Sequence, residues 1–137
     1  MSMADFNTQV ISEFRDNAGR VGGMFEGAKM LLLHHTGAKS GAERIAPLVY
    51  LPDGDHYVIF ASKGGAPENP AWYHNIKAKP DATIEVGEET VEVEVQEAQG
   101  DERERLYAAQ VAVMPQFAEY AEKTDRLIPV LVLSPKG

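Results

Sequence analysis

Two tight-turn signatures constrain this chain more than anything else in it. Pro52-Asp53-Gly54-Asp55 stands between two apolar runs, residues 44–51 and 56–61. Asp-Gly between hydrophobic stretches is among the strongest short-range hairpin signals. A second turn centres on Gly87, between residues 82–86 and 90–98. There Val91, Val93 and Val95 alternate with Glu92, Glu94 and Gln96, the period of a half-buried strand with a solvated acidic face. Hairpins demand antiparallel pairing, and the βαβ alternation of a doubly wound sheet is missing. The expected fold is therefore α+β and mainly β: a small antiparallel barrel, or a strongly curled sheet, with peripheral helices.

The remaining elements fit around those hairpins. Residues 4–17 read as a helix with Asp5 as N-cap and Phe6, Val10 and Phe14 recurring on one face. Glycines 19, 22, 23 and 27 break it. Residues 29–35 form a continuous apolar run, a buried strand, and residues 36–41 a loop. Pro47 lacks an N–H, so the strand at 44–51 belongs at a sheet edge or carries a bulge. Asn69 and Pro70 look like N-cap and first position of a helix reaching Ala78. Asp101 caps a helix to Met114, Pro115 opens another to Thr124, and residues 128–133 are the last strand. The expected division is an N-terminal helix, 1–18, and one domain, 19–137.

The formal net charge is −8, but residues 1–50 and 51–80 are each balanced, and the whole excess falls after residue 80. An acidic chain argues against nucleic-acid binding, which needs clustered Lys and Arg. With no cysteine, disulfides, thiolate nucleophiles and Cys-based metal sites are excluded. No metal site is expected of the histidines either: His34 and His35 are adjacent on a strand and point to opposite faces. No apolar run is long enough to span a membrane and no signal pattern opens the chain, so the expectation is a cytoplasmic protein without stable membrane insertion.

Three clusters could carry chemistry. Gly37-Ala38-Lys39-Ser40-Gly41 with Arg44 combines flexible backbone with cationic and hydroxyl donors, the composition an anionic phosphate needs. It is not a Walker loop, since Ala38 rather than glycine precedes Lys39. Ala61-Ser62-Lys63-Gly64-Gly65 sits at a strand end, where ligands are usually met. Ala71-Trp72-Tyr73-His74-Asn75 follows; Trp72 and Tyr73 could wall a flat heterocycle, although packing of the helix on the sheet is the weightier reading of the lone tryptophan. Further on, Met114, Phe117 and Tyr120 are spaced by three and share a helical face.

The succession of these motifs, continued by Lys77-Ala78-Lys79-Pro80, Thr124-Asp125-Arg126 and Ile128-Pro129-Val130, resembles the deazaflavin-dependent nitroreductase family over residues 14–133. The resemblance implies a flavin-reductase-like split β-barrel and the hydride carrier coenzyme F-420, an 8-hydroxy-5-deazaflavin with a phosphate and an oligoglutamate tail. It implies that Lys39, Ser40, Gly41 and Arg44 hold the phosphate and tail. Pro47, Leu48 and Val49 would line the ring, Ala61, Ser62 and Lys63 would meet it and its linker, and Ala71, Trp72, Tyr73 and Asn75 would close around it. An electron-poor acceptor (quinone, enone or nitroaromatic) would sit against Ser62, Met114, Phe117 and Tyr120, with Ser62 and Tyr120 polarising it. This chain departs from the family pattern in two places. Ala38 replaces a basic residue, and Met114 and Phe117 stand where nitroreducing members carry tyrosines. That leaves two alternatives: a non-catalytic F-420 or flavin carrier, and an FMN-dependent oxidoreductase on the same barrel. The resemblance also allows a homodimer and peripheral association with a membrane.

Overall fold

The computed structural model describes residues 3–22 and 28–136, leaving aside the side chains of residues 3–5 and 64. The elements run α1 (Met3–Asp16), β1 (Met30–Thr36), β2 (Glu43–Val49), β3 (Leu51–Asp53), β4 (His56–Phe60), a single 3-10 turn (Lys63–Gly65), α2 (Ala71–Ala78), β5 (Asp81–Val86), β6 (Glu89–Glu97), α3 (Gly100–Val113), α4 (Gln116–Lys123) and β7 (Val130–Pro135). All strands join one sheet in the order β2-β1-β5-β6-β7-β4-β3, and every pairing is antiparallel.

The two strands at the ends of that order are neighbours in the chain. β2 and β3 form one extended stretch interrupted only at Tyr50. Its first part pairs with β1 and its second with β4, so the sheet closes on itself as a barrel. The side of the stretch that serves each neighbour follows from two hydrogen bonds. Tyr50 N–H donates to the Lys29 carbonyl (3.0 Å) and Gly37 N–H to the Ala42 carbonyl (2.8 Å). Hydrogen-bonded pairs alternate in an antiparallel ladder, so Arg44, Ala46 and Leu48 turn their backbone groups to β1. Ile45, Pro47 and Val49 turn theirs the other way. Pro47 thus occupies a true sheet edge, as its missing N–H requires.

Both hairpins form where expected. Gly54 takes a positive φ of +62° at the first of two loop residues between the paired Asp53 and His56. Gly87, at φ +59°, does the same between Val86 and Glu89.

Alternation sorts the strand residues into two cores. Leu31, Leu33, Ile59, Ile84, Val93, Val95, Leu131 and Leu133 fill the barrel, and Trp72 and Ile76 of α2 plug it. The outward residues Val58, Phe60 and Val130 pack under α3 and α4 with Leu106, Tyr107 and Phe117. Met30 and Leu32 of β1 receive Val10 and Phe14 of α1. β1 is therefore buried on both faces, which is why it reads as an unbroken apolar run.

Several local expectations shift. Asp5 falls inside α1 rather than at its cap, and Gly23 and Gly27 lie outside the described residues. The N-cap of α2 is Pro70, extended at φ −66° and ψ 154°. Asn69 does not cap because its Oδ1 accepts from Arg126 Nη1 at 2.7 Å. The N-cap of α3 is Gln99, and Asp101 sits in the first turn, where a carboxylate still favours the positive helix end. The last strand begins at Val130, two residues late, because Ile128 is buried against α3 and its carbonyl is taken by Arg103 (2.8 and 3.2 Å).

Candidate functional site

The β3–β4 ladder pairs Leu51 with Val58, Pro52 with Tyr57 and Asp53 with His56. Continued in the same register it would next join Tyr50 to Ile59, Val49 to Phe60, Leu48 to Ala61 and Pro47 to Ser62. It does not continue. β4 instead pairs with β7, and among the described residues no strand meets the edge formed by Ile45, Pro47 and Val49. The barrel is split there. The split opens into a cleft of about 320 Å³, lined among others by Pro47, Leu48, Val49, Phe60, Ser62 and Lys63, with Trp72, Met114, Phe117 and Tyr120. That is near the lower end of the roughly 300–1,000 Å³ typical of ligand pockets. A larger hollow of about 830 Å³, lined among others by Gly19, Lys29 and Tyr50, holds none of the candidate residues.

One wall of the cleft is aromatic. Phe60, Phe117 and Tyr120 meet edge to face, with centroids 5.7 Å apart for Phe60–Phe117 and 5.0 Å for Phe117–Tyr120. Tyr107 braces this wall from behind, donating its hydroxyl to the Phe117 carbonyl at 2.6 Å. Gln110, almost wholly buried, donates to Met114 Sδ at 3.3 Å and fixes that side chain on the rim. The cleft is also lined by Ser62, nearly buried, and by Tyr120.

The second wall is a strand end held under strain. Lys63 takes a left-handed φ of +47°, costly for a non-glycine residue and typical of functional turns. Its ammonium pairs with Glu68 at 2.8 Å, which holds that carboxyl below its ordinary range. Gly65, at φ +86°, lies so close to α4 that a Cβ would sit 2.9 Å from Lys123 Cβ and 3.0 Å from the Tyr120 carbonyl.

The loop 37–42 carries the exposed Lys39, Ser40 and Gly41, and Arg44 follows, exposed, at the start of β2. Among the described residues neither Lys39 nor Arg44 has a carboxylate partner. The loop is anchored from inside the barrel. Asn75 Oδ1 accepts the Ala38 N–H (3.0 Å), and Asn75 Nδ2 lies 2.9 Å from His35 Nδ1. Burial, with Arg44 and His34 adding to it, lowers the His35 pKa. The imidazole is then neutral and its Nδ1 accepts from the amide.

The structure gathers Pro47, Leu48, Val49, Ser62, Lys63, Trp72, Met114, Phe117 and Tyr120 around one cleft. Ala61 is buried beside it in the barrel core, and Ala71 is exposed at the start of α2. Asn75 is committed to the loop anchor. Tyr73 does not line the cleft. Its hydroxyl donates to Glu97 at 2.8 Å, and burial together with that carboxylate pushes its pKa up to about 12. Trp72 serves both readings made of it, packing in the core and lining the cleft. Phe60 was missed as a wall residue, although its place at the end of an apolar strand just before Ser62 could have signalled it. Among the described residues no group of His, Asp and Glu could hold a metal ion.

A closed antiparallel barrel, split along one unpaired strand edge and walled by aromatics, defines the flavin-reductase-like split-barrel class. Residues 7–135 match the family described as F420H(2)-dependent quinone reductase, and the chain belongs to that family. It is 41% identical over 125 residues to the F420H(2)-dependent quinone reductase Rv1261c of Mycobacterium tuberculosis, covering 88% of this chain and 84% of the relative. A solved F420-H2 dependent reductase, FDR-A, is 40% identical with a TM-score of 0.71, over 77% of this chain and 94% of that one. Another solved chain, described as a domain-swapped dimer, is 36% identical with a TM-score of 0.73, over 97% of this chain and 100% of that one. The deazaflavin-dependent character and the split barrel expected from the sequence are thus borne out.

Proposed function

We infer that this protein is an oxidoreductase that uses reduced coenzyme F-420 to reduce a quinone by hydride transfer. The observation that carries the reading is the unpaired edge of β2 facing an apolar, aromatic-walled cleft in a chain that matches this family almost end to end. The residues fit the cofactor. A deazaflavin presents a planar apolar face and a ring edge of carbonyl and N–H groups. The slit offers Phe60, Trp72 and Leu48 to the face and free backbone groups of Val49 and Pro47 to the edge. Its phosphate and tail are anionic, and among the described residues Lys39 and Arg44 are cations without a carboxylate partner.

In this reading Lys39, Ser40, Gly41 and Arg44 hold the phosphate and tail, and Pro47, Leu48, Val49, Ala61, Ser62 and Lys63 hold the ring. Ala71, Trp72, Tyr73 and Asn75 close the site, Tyr73 and Asn75 by bracing α2 and the loop. Bound reduced F-420 supplies the hydride, which carries both electrons. Met114, Phe117 and Tyr120 press the acceptor into the cleft and exclude water, and placing the two reactants in contact is the main catalytic contribution. The Ser62 and Tyr120 hydroxyls donate hydrogen bonds to the acceptor oxygen, and the proton that completes reduction reaches that oxygen from one of them or from solvent. Because Met114 and Phe117 bring no hydroxyl, the site favours a quinone, whose oxygens need little further proton delivery, over a nitro group. A homodimer belongs to the same reading, supported by the domain-swapped relative. Among the described residues no helix is long and apolar enough to cross a membrane.

The test is a fluorescence titration with oxidised F-420, followed by oxidation of the reduced cofactor across quinone, enone and nitroaromatic acceptors. Saturable micromolar binding with turnover on quinones is expected. Absence of binding refutes the reading, and binding without turnover on any acceptor replaces it with a carrier.

A further inference from the structure

We propose that Arg126 is the positioning residue that builds the cofactor-facing wall of the cleft. Arg126 lies between α4 and β7 and does not line the cleft. Its guanidinium nevertheless makes four hydrogen bonds, all to the segment that does. Nη1 donates to the Ala61 carbonyl (3.1 Å) and to Asn69 Oδ1 (2.7 Å), Nη2 to the Ser62 carbonyl (2.8 Å), and Nε to the Ala66 carbonyl (3.0 Å). These acceptors are 57–65 residues away in sequence.

The consequence is directional. The segment contains no cis peptide, and in a trans peptide the C=O and the following N–H point opposite ways. With the Ala61 and Ser62 carbonyls drawn to Arg126, the N–H groups of Ser62 and Lys63 are turned away from it. Among the described residues neither N–H has a backbone partner. Ala61 N–H, one residue earlier, is already used by the Pro129 carbonyl (3.0 Å). One side chain thus sets a pair of backbone donors and holds Lys63 in its left-handed conformation. Only a guanidinium has the fork of donors to reach four acceptors at once; an ammonium is a point charge with three. The Asn69 contact extends the clamp to the start of α2, where Trp72 completes the opposite wall.

The inference rests on the proposed cofactor, so its test carries a readout that does not. Wild type, Arg126→Ala and Arg126→Lys are compared by oxidised F-420 titration, and by backbone NMR of the cofactor-free protein at Ser62, Lys63 and Gly65. Arg126→Ala is expected to raise the F-420 dissociation constant roughly tenfold or more, the loss of about one charge-assisted hydrogen bond. It should also lower the heteronuclear NOE of the three amides while strand resonances stay in place. Millimolar guanidinium should restore both, and Arg126→Lys should restore neither. If wild type fails to bind F-420, the cofactor reading fails and the NMR comparison alone decides the clamp. An NOE unchanged in Arg126→Ala, or rescue by lysine, overturns the proposal. So does an unchanged F-420 affinity in a variant whose wild type binds.

Discussion

Gly65→Ala tests the packing of the cleft at its tightest point. Two costs add. At φ +86° an alanine pays about 1–2 kcal/mol for left-handed backbone. Its Cβ would also sit 2.9 Å from Lys123 Cβ, 3.0 Å from the Tyr120 carbonyl and 3.2 Å from Tyr120 Cα. The last two are backbone atoms of α4 and cannot rotate aside, so α4 or the Lys63–Gly65 turn must move. Overpacking of this kind costs about 1–3 kcal/mol, giving roughly 2–5 kcal/mol in all. Gly100→Ala is the internal control: its φ is +58° and nothing lies within 4 Å of the added Cβ, so it pays the backbone cost alone. Both variants would be followed by thermal and urea unfolding. For a chain of this size about 3–4 °C is lost per kcal/mol, so Gly65→Ala should melt several degrees below Gly100→Ala. It should also bind oxidised F-420 more weakly, because Tyr120 shifts with α4. Equal melting temperatures for the two variants would show that α4 yields freely, and would refute the rigid cleft wall.

Tyr107→Phe removes the hydroxyl that donates to the Phe117 carbonyl and should cost about 0.5–1.5 kcal/mol in urea denaturation, the net worth of one hydrogen bond, since the carbonyl keeps its place in the α4 ladder. Glu85 accepts from Arg15 Nη2 and Nε (2.7 and 3.1 Å) and lies 2.6 Å from His34 Nε2. The Arg15 hydrogen bond foremost, then His34, lowers its pKa from 4.5. Its contribution is therefore full above pH 4.5 and lost as pH falls through the lowered value. Unfolding of Glu85→Gln against wild type should show a difference at pH 7 that shrinks in acid. His35 runs in the same direction for a different reason. Its folded pKa lies below 6.5, so the unfolded chain binds the extra proton first. Stability should fall below pH 6.5 by up to about 1.4 kcal/mol per unit until the buried ring titrates. His35→Gln should flatten that slope, measured by denaturation at several pH values.

How much of this could be read from the residues depends on range. The hairpins at Gly54 and Gly87 and the Val91, Val93, Val95 alternation are local, and they were legible. So was the edge position of Pro47, because a missing N–H is a property of one residue. Contacts between distant segments were not. Asn69 has the composition of an N-cap, but Arg126 claims its side chain from 57 positions away. Lys63 stands at a strand end as a cation by sequence, and Glu68 five residues on pairs with its ammonium. Trp72 and Tyr73 are adjacent on a helix and point about 100° apart, and of the two Trp72 lines the cleft. Helical spacing instead groups Trp72, Asn75 and Ile76, the buried residues of α2.

The site lies where the ladder fails, and the sequence carries the reason for the failure. A barrel normally abolishes sheet edges, and this one is closed by a single extended stretch whose even residues serve β1 and whose odd residues serve β4. The odd side is satisfied at Leu51 and Asp53 and abandoned at Ile45, Pro47 and Val49. Continued pairing would set Pro47 opposite Ser62, and Pro47 has no N–H to give. On the other bank, Arg126 takes the Ser62 carbonyl that would have faced Pro47. The Pro47–Ser62 pair is thus blocked from both sides of the seam. The backbone groups left over in an apolar slit require a partner of their own. A planar ring with alternating donors and acceptors along its edge meets that requirement on both banks at once. The same two features, Pro47 and Arg126, keep the slit open for it.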